Sequence, residues 1–443
     1  MTTDNLRRRA ARVLALGALG AVGPLAACTD FLTAENPGAI EAADLNSPAY
    51  LNLLTNGVIG DYQLVASWVN YYGALFTDEL YNTHVFFEER LFDTRNVTPE
   101  NGTHSFFLYG RMHRARFMAD SVATRLGIIL ADSAQRDNRL ARVRAYGGYS
   151  YVLLGENWCE SPINVSAALP PSELFTRAIE RFETAITVAT AARNHTGASA
   201  ASIAAADSII AMARLGAARA SLNLGNTAEA IGYATLVPAD FQVNMHFSIN
   251  SAGENNMWFG RLSTGSSGSN SATLSFTPFE TMVGDPRVPR PATVEPAMNG
   301  LQIYIPNSPL GFSTYSGTET GADLTREASI RLASGLEARY IIAEAEGPTT
   351  ETETFVNERR AVGNQLPVAL AGDALMAELR DQKRRDFYLT GQRLGDLRRY
   401  MELYGINEFP TGPYPNTTTG ETYVDRYCWP LNLAEINGNP NIP

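Results

Sequence analysis

Asp78 and Glu79 stand side by side just after an aromatic run that contains Trp68, Tyr71 and Tyr72. Two carboxylates can share acid and base roles when they face each other across a bond, roughly 5–9 Å apart in a glycosidase. Adjacent residues point in different directions on a helix or a strand, and no pattern places a second carboxylate opposite either one. Catalysis is therefore not expected. The five histidines, His84, His104, His113, His195 and His246, do not pair at ligand spacing, and no Cys-x-x-Cys occurs. A metal site is not expected. No phosphate loop, Gly-x-Ser-x-Gly elbow or dinucleotide fingerprint is present, so no cofactor is expected.

Recognition is the chemistry that remains. Trp68, Tyr71 and Tyr72, followed by Asp78, combine aromatic faces with a carboxylate. That combination suits a sugar ring or a peptide, through apolar stacking plus hydrogen bonds. Trp258, Phe259 and Tyr304 sit in a stretch dense in Gly, Ser and Asn and are candidates for a second wall. Core packing is the competing reading for each of these aromatics.

The N-terminus determines where such a site would work. Arg7, Arg8, Arg9 and Arg12 precede a short apolar stretch over residues 13–25. It falls short of the about 20 apolar residues needed to cross a bilayer and fits a cleaved signal. Leu25-Ala26-Ala27-Cys28 resembles the bacterial lipobox, in which Cys28 is acylated and becomes the new N-terminus. Residues 1–27 are read as leader, and no later apolar run is read as a span. The net charge is −11, and the leader's four arginines and one aspartate leave −14 on the remainder. Nucleic acid is thereby excluded as a main partner. Cys159 and Cys428 remain in an exported chain, which favours a disulfide over two free thiols.

Apolar periodicity predicts a mainly α chain built of tetratricopeptide-like helical hairpins, with a loop-rich insertion and a few short strands. Leu51, Leu54, Val58, Tyr62 and Val65 mark a first helix. Helices are expected over 106–130 and 138–154, and Pro170-Pro171-Ser172-Glu173 is expected to open another with Ser172 as N-cap. Residues 208–238 read as a helical hairpin turning at Gly225-Asn226. Periodicity fades over 239–327, the expected ligand-facing insertion, where only residues 301–305 suggest a strand. It returns in helices over 330–346, 354–363 and one long helix over 374–404. Residues 405–443 form a turn-rich tail.

Several of these segments, in order, resemble the SusD/RagB family of outer-membrane nutrient-binding lipoproteins. They include Cys28-Thr29-Asp30-Phe31-Leu32, Gly284-Asp285-Pro286-Arg287, Arg331-Leu332 with Glu337 to Ala345, and Asn439-Pro440-Asn441. The most specific is Arg384-Arg385-Asp386-Phe387-Tyr388-Leu389-Thr390-Gly391-Gln392-Arg393-Leu394-Gly395-Asp396-Leu397-Arg398-Arg399, where Thr390 replaces the family's usual Glu. The resemblance implies one SusD-like domain over 28–443, with helical repeats at about 44–238 and 328–404. It implies a cell-surface lipoprotein anchored in the outer membrane and a TonB-dependent, SusC-like barrel as partner. It also implies a glycan, oligosaccharide or peptide ligand and neither enzyme activity nor cofactor. A repeat-type scaffolding lipoprotein that binds only proteins is the alternative.

Overall fold

The computed structural model describes residues 44–442 except 85, 263–271, 289, 298–300, 305–311, 314–324 and 416–419. Cys28 and the leader lie outside the described residues. Residues 48–443 form one compact unit.

Helix α1 (Leu51–Phe76) buries the stripe read from the sequence, Leu51, Leu54, Val58, Tyr62 and Val65. Strand β1 (Tyr81–Asn82) and the short α2 (Phe87–Asp93) follow. A π-helical turn over His104–Tyr109 runs into α3 (Gly110–Leu130). Then come α4 (Asn138–Asn157), the hairpin of β2 (Ser161–Pro162) with β3 (Ala168–Leu169), α5 (Pro171–Arg193), α6 (Ala200–Asn223) and α7 (Thr227–Ala234). Helix α5 starts one residue before Ser172, with Pro171 in its first turn and Pro170 as cap. Proline's fixed φ suits that position, and its missing N–H costs nothing there.

Helices α3 to α7 pack each on the next, so the small residues between them set the spacing. Phe182 of α5 shows how tight it is. A Cβ built on Gly148 of α4 would lie 2.6 Å from its ring, and one on Gly216 of α6 would lie 2.2 Å away. Glycine at both positions lets the ring sit between two backbones. Among the described residues, α6 is the helix whose length and mean hydropathy would suffice for a membrane span. Here it is a core helix, with Ile209, Ala213, Ala217, Ala220 and Leu222 buried.

The insertion holds β4 (Gln242–Met245), α8 (Met257–Leu262), β5 (Ala272–Thr273), β6 (Glu295–Pro296), β7 (Gln302–Ile303) and β8 (Phe312–Ser313). Strand β7 falls within the stretch expected at 301–305. Pairing ties the insertion to the scaffold at two points. Strand β5 pairs antiparallel with β1, and β9 (Ser329–Ser334) lies between β4 and β8.

Strand β9 corrects the reading of 330–346 as one helix. Its first part pairs Arg331 with Asn244 and Ile330 with Phe312, and α9 (Gly335–Glu346) starts only after Ser334 caps it through Glu337 N–H. Long-range pairing overrides local periodicity there. Helix α10 (Thr350–Val362) follows. The single helix expected at 374–404 is two, α11 (Gly372–Asp386) and α12 (Arg393–Tyr404). Leu389 and Gly391 between them have φ of +62° and +83°. A Cβ on Gly391 would meet Asn70 Oδ1 at 2.0 Å, so this turn packs directly on α1 as only glycine allows. The chain closes with α13 (Leu433–Gly438).

Cys159 and Cys428 form the expected disulfide, across a sequence separation of 269. Beside it Trp158 and Trp429 are fully buried and meet edge to face at 4.9 Å. Arg398 of α12 donates to the carbonyls of Gly155, Glu156 and Trp158, at 2.9, 2.9 and 3.0 Å. A cation there satisfies the carbonyls left open at the end of α4.

Candidate ligand-binding site

Trp68 lies near the C-terminal end of α1, and the surface is built around it. Its indole is partly exposed and stacks on Phe107 at 4.6 Å and 17°. Tyr72 lies nearly parallel to it at 6.2 Å, and Phe106 meets Phe107 edge on at 4.9 Å. Phe86, Phe87 and Phe106 are 62%, 69% and 65% exposed, unusual for large apolar rings. Glu88 joins the segments that carry them, accepting from the N–H groups of Gly102 and Thr103 at 3.2 and 2.8 Å. Phe106, Phe107 and Trp68 thus form a row of rings, and Glu88 ties the segment of Phe86 and Phe87 to the one that leads into it; together they make an aromatic ridge.

Polar groups sit in the base of the ridge. Arg261 of α8 lies 5.8 Å from the Trp68 ring and 5.6 Å from that of Tyr71. It pairs with Glu89 at 2.8 Å, and Glu89 also accepts from the Tyr72 hydroxyl at 3.2 Å. Burial raises the Glu89 carboxyl against the pull of Arg261. Burial, aided by Arg261, lowers His84 to about 4. His84 is thus neutral near pH 7 and accepts the Phe86 N–H at 3.0 Å, setting that ring beside its own.

From His84 the chain leads back through β1 to a cleft of about 390 Å³. One wall is Tyr81 and Phe276, whose rings meet at 4.9 Å. Phe276 is 40% exposed and has φ of +67°, a strained conformation for a bulky residue. The opposite wall is a chain of alternating charges. Arg384 bridges Asp381 at 2.8 Å and Asp78 at 3.4 Å. Arg393 clamps Asp78 through two bonds of 2.7 and 2.9 Å and reaches Glu408 at 3.5 Å. Burial would raise Asp78, but Arg393 and Arg384 outweigh it and hold the carboxyl below its ordinary value.

The structure brings both sequence-predicted walls together, in an unexpected order. Tyr71 and Trp258 meet at 5.4 Å across the α1–α8 contact. Tyr71, Tyr72 and Trp258 are at most 1% exposed, so they form the floor under Trp68, not the contact surface. The side chain of Phe259 lies outside the described residues. Tyr304 stands apart from this stack, half-buried beside β5, with Arg290 3.7 Å from its ring. Asp78 belongs to the cleft wall. Asp78 turns to Arg393 while Glu79 accepts the Leu389 N–H at 2.9 Å; the two carboxylates face different partners, as their adjacency predicts. Phe86, Phe87, Phe106 and Phe107 are candidate site residues that the sequence reading misses. Their signal is adjacency, since two consecutive aromatics at a helix start cannot both face one core.

Among the described residues no cluster of His, Cys, Asp and Glu is placed to hold a metal ion. Aromatic faces, paired charges and a cleft make a surface for binding a ligand with hydroxyl groups and apolar faces.

No family model and no curated protein matches the chain. Solved structures do match in fold. A SusD superfamily protein from Bacteroides fragilis has a TM-score of 0.60 at 11% identity, covering 89% of this chain and 99% of that one. A SusD-like carbohydrate binding protein from Bacteroides vulgatus ATCC 8482 has a TM-score of 0.61 at 13% identity, covering 89% and 97%. A laminarin binding SusD-like protein has a TM-score of 0.57 at 15% identity, covering 87% and 97%. The chain therefore has the SusD superfamily fold.

Proposed function

We propose that this chain is a SusD/RagB-type surface lipoprotein, anchored through Cys28. It captures an oligosaccharide on the ridge and delivers it to a TonB-dependent, SusC-like outer-membrane barrel. The observation that carries this reading is the exposed ridge of Phe86, Phe87, Phe106 and Trp68, continued by the cleft with its preformed charges. Rings exposed in this way present flat apolar faces to sugar rings. The fold's likeness to a carbohydrate binding and a laminarin binding protein supports the choice of ligand class. Capture and release without bond cleavage fits an Asp78 already saturated by arginine.

Laminarin and a panel of other glycans, with a peptide pool as a separate arm, are titrated against the processed chain by calorimetry. Saturable glycan binding is expected, weakened at least tenfold by Trp68→Ala and by Phe106→Ala, with the thermal midpoint kept for Phe106→Ala because that ring is exposed. Binding by the peptide arm alone, or binding unchanged by both variants, refutes the assignment. Affinity capture of the lipidated chain from its membrane should recover a barrel with a plug domain in equal amount.

A further inference from the structure

A second cavity, of about 400 Å³, opens between α9, α11 and α12. Helices α11 and α12 also supply Asp381, Arg384 and Arg393 to the cleft, but no residue that lines this cavity lines the cleft or the ridge, so its chemistry is separate from that of the proposed function. The cavity is preformed. The turn between α11 and α12 is fixed elsewhere, by Gly391 against Asn70 and by Leu389 N–H on Glu79, so α11 and α12 cannot simply close on each other.

Its lining is mostly aromatic and aliphatic. Tyr340 and Tyr400 are buried, while Tyr404 is 43% exposed and lies over Tyr400 at 6.4 Å and 25°. Met376 and Leu379 supply the aliphatic side, and Ile406 also borders the cavity. Lys383, the chain's only lysine, also lines it and is 4% exposed. Its ammonium bonds Asp396 at 2.7 Å and stands 3.9 Å from Glu344, too far for a hydrogen bond. Glu344 in turn holds Arg399 at 2.7 and 2.9 Å, and Arg399 also bonds Asp396 at 2.6 Å.

Two cations and two anions thus neutralise one another at the polar end. An anionic ligand would meet Glu344 and the rim residue Asp373; a cationic one would meet Lys383 and Arg380. A neutral ligand avoids both penalties. A hydroxyl is a small neutral group that accepts from an ammonium and donates to a carboxylate through a single atom. We propose that this cavity binds a small neutral phenol, its ring against Tyr404 and its hydroxyl between Lys383 and Glu344.

The test uses 4-fluorophenol and fluorobenzene, followed by fluorine NMR on the processed full chain. One saturable site for 4-fluorophenol is expected, with a dissociation constant below about 1 mM. Fluorobenzene, which lacks the hydroxyl, should bind at least about tenfold more weakly. Ile406→Trp should block the cavity, and Tyr404→Ala, at an exposed position, should weaken binding about tenfold while leaving the fold intact. Trp68→Ala should leave the phenol affinity unchanged, which separates this site from the ridge. No binding by the folded wild type, equal affinity for the two probes, or affinity unchanged in Tyr404→Ala would each overturn the proposal.

Discussion

Glu79 predicts an unusual pH dependence of stability. Its side chain is 1% exposed; Oε1 accepts the Leu389 N–H at 2.9 Å, and Oε2 is buried without a hydrogen-bond partner. Burial pushes the carboxyl from its ordinary 4.5 to about 8, with Asp78 adding to the rise and the Leu389 N–H and Arg393 opposing it. The folded chain therefore keeps a proton that the unfolded chain releases. The contribution of Glu79 to stability is greatest below pH 4.5, falls as pH rises through the interval to about 8, and is flat beyond it. At 1.36 kcal/mol per tenfold change in proton concentration, the loss between pH 5 and pH 9 is about 4 kcal/mol. Glu79→Gln keeps the acceptor for Leu389 and removes the titration. Urea unfolding at pH 5, 7 and 9 should show the variant within about 1 kcal/mol of wild type at pH 5 and about 4 kcal/mol more stable at pH 9. Asp93, raised to about 7 mainly by burial, has the same sign but titrates in both proteins, so their difference isolates Glu79. Parallel pH profiles for the two proteins would refute a buried proton on Glu79.

Two further outcomes test the scaffold. Gly216→Ala drives a methyl into Phe182, which Gly148 prevents from retreating, and should destabilise the chain by about 1–3 kcal/mol; Phe182→Leu in the same chain should recover part of that loss, as urea midpoints will show. Cys428→Ser removes the link to Cys159 and should cost about 2–5 kcal/mol, measured by thermal melting of oxidised wild type against the variant. Chemical reduction of the wild type should reproduce the shift, and no shift in either case would mean the paired Trp158 and Trp429 hold the tail without the bridge.

The arginine-rich segment from the end of α11 into α12 shows where sequence reading reaches its limit. Its helical spacing suggests ion pairs along a single helix. Several of its charges instead find partners on other elements: Asp386 on Arg359 of α10, Arg393 on Asp78 beyond α1, Arg399 on Glu344 of α9. The structural role is legible because the charges alternate with apolar positions. The partners are not, because spacing reports only neighbours on the same helix.

By itself the sequence determined α1 and the helices from α3 to α7, since each carries an apolar stripe or small-residue face that only helical geometry gathers on one side; the short α2 it did not show. It also pointed to the Cys159–Cys428 bridge, through the count of cysteines in an exported chain. Tertiary structure alone decided three things. It made 329–334 a strand, because β4 and β8 supply hydrogen-bond partners from distant sequence. It broke the last long helix at Leu389 and Gly391, because Glu79 and Asn70 take up that turn. And it chose which aromatics face outward: Tyr71, Tyr72 and Trp258 went to the floor, and Phe86, Phe87 and Phe106 to the surface. An aromatic's identity gives its affinity for apolar surroundings, but which side meets a neighbouring element is settled only when that element packs against it.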